Sequence, residues 1–193
     1  ELNLKVPDVS WHSIRDNFCE TTGWLALVGS SLGKIAYDIM LMMQTETQEV
    51  AEPYLHGRGS SSTMPQKRNP DFAEISRGKT GRIYGHLMSI LTVMKSLPLT
   101  YNRDLQEDKE SFFDTEDTLL GTLEVFSGMV SGLTVNKDLT EKAAEGGLSL
   151  ATDIADYLVA KGVPFRQAHS IVSQLSDYAI ENKKTFGDFT LGE

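Results

Sequence analysis

Apolar residues recur at steps of three and four along the first part of this 193-residue chain, which is the spacing of helices that pack in a bundle. A first helix is predicted to begin after Ser10, a residue suited to the N-cap, and to continue for about 35 residues, or roughly 50 Å. Its predicted buried stripe consists of Ile14, Phe18, Leu25, Val28, Leu32, Ile35, Ile39 and Met42.

Two more long helices are predicted further along the chain. One spans residues 71–97, is ended by Pro98 and carries on one stripe Ile83, Leu87, Ile90 and Met94. The next begins near Asp104, stops around residues 133–137 and turns inward Phe112, Leu119, Leu123, Phe126, Val130 and Leu133. Shorter helices are predicted at 138–145, 149–161 and 165–182, and no segment shows the alternation of a strand. The pattern thus predicts an all-α protein with a long-helix bundle over residues 1–134 and a small helical C-terminal domain over residues 135–193.

Composition narrows the class of function. With 40% hydrophobic and 23% charged residues and a net charge of −9, the chain resembles an ordinary globular protein and lacks the basic surface that nucleic acids require. No uninterrupted apolar run approaches the ~20 residues that span a bilayer, so no membrane partner is expected. A single cysteine excludes an internal disulfide and favours a reducing, cytoplasmic location. Cysteines and histidines are too few and scattered for a zinc site.

Candidate chemistry is concentrated between the first two long helices, in the stretch GRGSSSTMPQKRNPDFAE at residues 57–74. Its glycines permit unusual backbone conformations, and three serines supply hydroxyls. Lys67 and Arg68 add positive charge near the start of the next helix, whose N-terminus also favours anions. The segment is therefore predicted either to close over a carboxylate-bearing ligand or to be a solvated linker.

The stretch SSSTMPQKRNP resembles the signature loop of the fumarase/aspartase superfamily, GSSxMPxKxNP, with Ser60 in place of the usual glycine. Three further segments resemble the argininosuccinate lyase branch: ISRGKTGRIYGHL at 75–87, LPLTYNRDLQEDKE at 97–110 and ATDIADYLVAKGVPFRQAH at 151–169. Two other segments are more similar to the 3-carboxymuconate cycloisomerase and adenylosuccinate lyase branches than to argininosuccinate lyase: VPDVSWHSIRD and QKRNP.

The resemblance implies an all-helical, homotetrameric lyase that eliminates fumarate from succinyl-containing substrates without a metal or organic cofactor. It implies that Ser61 is the general base, that Ser60 and Ser62 are loop and oxyanion donors, and that Lys67 and Asn69 hold the substrate carboxylate. Glu74 would orient a histidine of another subunit. Tyr101, Gln106 and Lys109 would contact the amino-acid portion of argininosuccinate. Taken without the resemblance, Lys67 and Glu74 also fit a solvated surface, and LQEDKE fits an exposed helix start.

The superfamily builds each active site from three separate regions of sequence, and this chain carries only the third, the serine loop (residues 57–70). We therefore expect it to be the C-terminal portion of a longer protein, inactive by itself. The function implied is reversible elimination of fumarate from argininosuccinate, in arginine biosynthesis. Two alternatives stay open. One is another lyase or cycloisomerase of the superfamily, acting on N-substituted aspartates, 3-carboxymuconate or adenylosuccinate. The other is a non-catalytic, crystallin-like structural protein.

Overall fold

The computed structural model describes residues 2–6, 8, 11–54, 63–64, 66–146 and 148–190; for Trp11 and Glu145 it describes the backbone alone. Three long helices come first: α1 (Asp16–Met42), α2 (Asp71–Met94) and α3 (Asp108–Ser131). Three shorter ones follow, α4 (Lys137–Glu145), α5 (Ala151–Ala160) and α6 (Phe165–Glu181). Single turns of 3₁₀ helix lie at Trp11–Ser13, Arg103–Gln106 and Phe186–Asp188. The all-α prediction is confirmed.

The described residues contain two strands of two residues each, β1 (Val50–Ala51) and β2 (Thr134–Val135), which pair with each other. The sequence gives no sign of them, because two residues are too few to alternate. The chain divides into two compact units, Glu1–Thr134 and Val135–Glu193. The first unit holds the three long helices, and the second holds the short ones.

The ends of the long helices differ from the sequence predictions. α1 begins at Asp16, after a 3₁₀ turn, and Arg15 occupies its N-cap without a side-chain cap hydrogen bond; the predicted cap, Ser10, lies outside the described residues. α2 ends at Met94, because Lys95 leaves helical geometry and Ser96 adopts a positive φ of 58°. α3 begins at Asp108, because residues 103–106 form the tighter 3₁₀ turn.

Helix α1 packs on α2 through small residues rather than through most of its large apolar ones. Its buried residues are Thr22, Ala26, Gly29, Leu32, Ala36 and Ile39. A Cβ at Gly29 would lie only 3.2 Å from the Ile83 side chain, so the two helices approach closely there. The prediction was right for Leu32 and Ile39. It was wrong for Val28 and Ile35, which are 40% and 47% exposed, because small side chains allow tighter helix contact than branched ones.

The stripe predicted on α2 is confirmed in its centre, where Ile83 and Ile90 are buried and Leu87 packs against the core. On α3, Leu119 and Phe126 are buried, but Leu123 and Val130 are exposed. Threonines and a serine occupy much of the buried face of α3: Ser111, Thr115, Thr118 and Thr122. Two of these hydroxyls donate to carbonyls one turn earlier, Thr115 to Ser111 at 2.7 Å and Thr122 to Thr118 at 2.6 Å, so they are buried without losing hydrogen bonds.

By length and composition alone, α1 is the described helix that is apolar enough to cross a membrane, with a mean hydropathy of 1.4 over an 18-residue window, of which 28% is buried. This criterion differs from the uninterrupted apolar run considered in the sequence analysis, because an averaged window tolerates the polar residues that interrupt such a run. The core helix of a helical bundle meets the same criterion, and α1 packs along α2 in this way.

The second unit is built on the hairpin of α5 and α6, whose buried residues include Ala155, Ala168 and Val172. Gly162 terminates α5 with a φ of 95°, a conformation that favours glycine. The amide of Val163 then donates to the carbonyl of Leu158 at 3.1 Å and closes the helix end.

Candidate functional site

The chain on the N-terminal side of the serine loop is fixed to the start of α2 by a buried carboxylate. Glu52, 8% exposed, accepts the backbone N–H of Phe72 at 3.2 Å and that of Ala73 at 2.8 Å. These N–H groups belong to the first turn of α2 and have no partner within the helix. Pro70 occupies the N-cap without a side-chain cap bond, so Glu52 supplies the cap from outside the helix.

Sequence reasoning missed Glu52, although one signal for it exists. A helix that begins after a proline has no Ser, Thr, Asp or Asn at the cap, so it needs an acceptor from elsewhere in the chain. The carboxylate agrees with the expectation that the N-terminus of α2 favours an anion, and the anion that occupies the amides of Phe72 and Ala73 comes from the chain itself.

The residues next to Glu52 are held by other elements of the first unit. Val50 is part of the hydrophobic core. Pro53 lies against Gly132 at the C-terminus of α3, where an added Cβ would be 2.8 Å from the Pro53 Cβ. The guanidinium of Arg68 lies over the ring of Tyr54, 4.4 Å from its centroid. This last contact joins the chain before the serine loop to the chain that leaves it.

Three of the predicted site residues lie together at this end of α2. Lys67 is exposed, and its backbone N–H donates to the Met64 carbonyl at 3.0 Å. Asn69 is half-buried just before the helix, and Glu74 is exposed in its first turn. Ser60, Ser61 and Ser62 lie outside the described residues. The exposed Lys67 ammonium and the Asn69 amide are both able to bind a carboxylate.

The other predicted residues lie together beyond the C-terminal end of α2. The Gln106 amide donates to the Tyr101 hydroxyl at 3.3 Å. Lys109 donates to the Leu105 carbonyl at 3.0 Å and to Asp108 Oδ1 at 3.3 Å. The ring of His12 lies 6.4 Å from that of Tyr101, between ring centroids. Of these groups, the Tyr101 phenol and the Gln106 amide are in direct contact, and both are able to bind the polar groups of an amino acid.

Asp108, which sequence reasoning also missed, anchors this second group. Its side chain is fully buried, and Arg15 Nη1 donates to its Oδ2 at 2.7 Å. With Lys109 on the other oxygen, the buried carboxylate has a cation on each side, which is what a buried charge requires.

Burial and, to a smaller extent, the charges of Asp16 and Asp108 raise the pKa of the nearby Cys19 thiol. Cys19 therefore stays protonated and is a poor nucleophile.

The two groups of predicted residues do not meet within one chain. They lie at opposite ends of α2, whose 24 residues span about 36 Å.

Between them, Asp114 of α3 links to α2 by accepting from Arg82 Nε at 2.6 Å and by pairing with His86 Nε2 at 2.5 Å. The hydrogen bond from Arg82, supported by that with His86, lowers the pKa of Asp114. The described residues contain no group of three or more His, Cys, Asp or Glu that could hold a metal.

Comparison with known proteins places this arrangement in a family. Residues 4–85 match the family model described as Lyase, and residues 148–193 match that described as Argininosuccinate lyase C-terminal. The chain is 49% identical over 181 residues to the argininosuccinate lyase of Ruminiclostridium cellulolyticum, an alignment that covers 94% of this chain and 39% of that protein. It is 44% identical over 197 residues to the argininosuccinate lyase of Syntrophus aciditrophicus, covering 98% and 41% of the two.

The chain belongs to the fumarase/aspartase superfamily.

A solved structure of the same superfamily agrees. The 3-carboxy-cis,cis-muconate lactonizing enzyme from Pseudomonas putida matches with a TM-score of 0.74 at 31% identity, covering 97% of this chain and 43% of that one. The superfamily resemblance and its argininosuccinate lyase character are thereby confirmed. The chain spans about two fifths of the length of the curated relatives, 39% and 41% in the two named above.

Proposed function

We propose that this chain is the serine-loop portion of an argininosuccinate lyase, which reversibly eliminates fumarate from argininosuccinate and releases arginine. The observation that carries the proposal is the 49% identity to such an enzyme over 94% of the chain. We extend the proposal to a cytoplasmic enzyme of arginine biosynthesis that needs no metal or organic cofactor.

In the proposed reaction, Ser61 removes a proton from the carbon adjacent to the carboxylate that stabilises the resulting charge. The electron pair is delocalised into that carboxylate, which then carries two negative charges. Lys67 and Asn69 would bind it more tightly in this state than in the substrate, and such differential binding accelerates the reaction. The pair then forms the double bond of fumarate as the carbon–nitrogen bond breaks. A histidine outside this chain, oriented by Glu74, would assist departure of the guanidino nitrogen.

The proposal assigns Tyr101, Gln106 and Lys109 to the amino-acid portion of the substrate. Because they lie about 36 Å from the serine-loop end of α2, one active site containing both groups needs more than one copy of the chain. A homotetramer with active sites shared between subunits meets this requirement. The exposed apolar residues of the first unit support such an assembly, since a bundle that leaves them uncovered exposes much apolar surface: Trp24, Leu27, Tyr84, Met88, Phe113 and Leu120.

A second candidate is a cycloisomerase acting on a muconate, which is favoured by the similarity to the Pseudomonas putida structure. That similarity, at 31% identity, is weaker than the 44–49% identity to argininosuccinate lyases. Offering 3-carboxymuconate and argininosuccinate to the same preparation would separate the two candidates.

The proposed function is tested by following fumarate release from argininosuccinate through its ultraviolet absorbance. The assay uses the whole protein, this chain together with the N-terminal region that completes the site. Release is expected from the unaltered protein, with a loss of at least about 100-fold in Ser61→Ala, because a general base contributes 10²–10⁴-fold. Ser173→Ala, at an exposed position of α6, is the matched control. No release from the unaltered protein would reject the proposal.

A further inference from the structure

We infer that Glu52 is a positioning residue for catalysis, which fixes Lys67 and Asn69 by holding the first turn of α2. The inference rests on the proposed function and adds a residue to it. Glu52 lies outside the serine loop and carries none of the roles implied by the superfamily resemblance.

The first observation is the geometry of the Glu52 carboxylate. Its two oxygens accept two successive backbone N–H groups, with Oε1 at 2.8 Å from Ala73 N and Oε2 at 3.2 Å from Phe72 N. Two bonds to one rigid group fix both the position and the orientation of the helix start. Asn69 lies three residues before Phe72, so a shift of this turn moves its amide as well.

The second step is that Glu52 itself is held in place. Val50 is buried in the core, and Pro53 fits against the backbone of Gly132. The Tyr54 ring then stacks with Arg68, which directly follows Lys67. Residues 50–54 therefore form a fixed support, and both ends of the Lys67–Asn69 segment are tied to it: one through Arg68, the other through α2.

The third step concerns charge. A helix N-terminus carries roughly half a positive charge, which attracts anions. The Glu52 carboxylate offsets that charge and uses the amides of Phe72 and Ala73. A substrate carboxylate is therefore directed to Lys67 and Asn69 rather than to the end of α2. Because 1 Å of misplacement can cost on the order of 100-fold in rate, the position of these two groups decides the rate.

The test compares Glu52→Gln and Glu52→Ala in the whole protein, this chain with its completing N-terminal region. Steady-state fumarate release gives kcat and KM, and hydrogen exchange reports on the amides of Phe72 and Ala73. Ile83→Val, in the buried centre of α2, is the control for loss of stability without loss of the support. Each variant is assayed well below its own unfolding temperature.

We expect kcat to fall about 10- to 100-fold in Glu52→Gln while KM changes less than about threefold, because the lost interaction acts on transition-state positioning. Glu52→Ala should lose more, because glutamine keeps one acceptor oxygen and alanine keeps none. Exchange at Phe72 and Ala73 should accelerate in both variants, and Ile83→Val should keep its kcat. Faster exchange with an unchanged kcat would overturn the inference and leave Glu52 as a helix cap alone.

A second variant moves the support without removing the carboxylate. In Gly132→Ala the added Cβ would lie 2.8 Å from Pro53 Cβ, so Pro53 has to shift. A loss of kcat of about 10-fold at constant KM is expected, and an unchanged kcat would count against the inference even where Glu52→Ala fails to fold. If the unaltered protein releases no fumarate, the proposed function fails and this role fails with it. Release by the unaltered protein with full kcat in the Glu52 variants overturns this role alone.

Discussion

At the serine-loop end of α2, the buried Glu52 carboxylate is satisfied by backbone N–H groups, whereas at the opposite end the buried Asp108 carboxylate is satisfied by Arg15 and Lys109 side chains. Backbone donors are rigid and keep a carboxylate in one place. Long cationic side chains adapt, and one of them, Lys109, is still 46% exposed. The difference indicates that the loop end holds its carboxylate in a fixed position, whereas the other end keeps a cation partly exposed to solvent.

The largest difference should be seen in catalysis, when the two lysines are compared. In the whole protein, Lys67→Met should lower kcat by about 10²–10³-fold, the usual cost of removing one donor to a developing negative charge. Under the proposed function, Lys109→Met should instead raise KM for argininosuccinate with a smaller effect on kcat, because the contact proposed for Lys109 would be made equally in substrate and transition state. Steady-state kinetics of fumarate release measure both. Equal losses of kcat in Lys67→Met and Lys109→Met would contradict the difference proposed between the two ends of α2.

The next effect concerns stability at the Asp108 end. Asp108→Ala leaves Arg15, which is 14% exposed, without its buried partner, and we expect a loss of about 3–5 kcal/mol in the free energy of unfolding. Urea unfolding followed by circular dichroism measures it. Asp104→Ala, at an exposed site in the preceding 3₁₀ turn, should stay within about 0.5 kcal/mol of the unaltered protein. A loss below about 1 kcal/mol for Asp108→Ala would show that the cations do not depend on this carboxylate.

A smaller loss of stability is expected at the other end. Glu52→Ala removes the acceptor of two first-turn amides, and helix caps contribute about 1–2 kcal/mol. Urea unfolding should therefore show a loss of about 2 kcal/mol, less than at Asp108, because the amides carry only partial charges. Glu46→Ala, at an exposed position, is the control. A loss larger than that of Asp108→Ala would reverse the comparison.

The smallest effect is expected midway along α2, where Asp114 bonds to Arg82 and His86. These bonds lower the pKa of Asp114 from 3.8, so the folded state binds its proton less readily than the unfolded state. The stabilisation is therefore fully present above pH 3.8 and is lost as the pH falls through the lower, folded-state pKa. The difference in unfolding free energy between the unaltered protein and Asp114→Asn should be present at neutral pH and disappear in acid. Asp117→Asn, also on α3 and exposed, should show no such pH dependence.

The sequence predictions were right for features that depend on neighbouring residues, namely the helices and their breaks. The spacing of apolar residues predicted the three long α-helices, and Pro98 and Gly162 marked breaks close to the observed ends of α2 and α5. Helix faces were less predictable. Two stripes of α1 are apolar, and only the approach of α2 decides that the one carrying Ala26 and Ala36 is buried while Val28 and Ile35 stay exposed.

For the candidate site, the division is similar. The loop motif identifies Ser61, Lys67 and Asn69 as candidates, because the whole motif lies within one short stretch of the sequence. Glu52 and Asp108 do not stand out in the sequence, since a glutamate before a proline and an aspartate within LQEDKE both look solvated. Glu52 bonds to Phe72, 20 residues away, and Asp108 bonds to Arg15, 93 residues away, and no local pattern contains these pairs.

The all-helical class and the superfamily follow from the sequence alone, because helical periodicity and contiguous motifs can be recognised without any long-range contact. The packing of the helices decides which carboxylates are buried and which groups satisfy their charge. Burial and charge pairing depend on contacts between residues that are far apart in the sequence. These contacts form only when α1, α2 and α3 pack together.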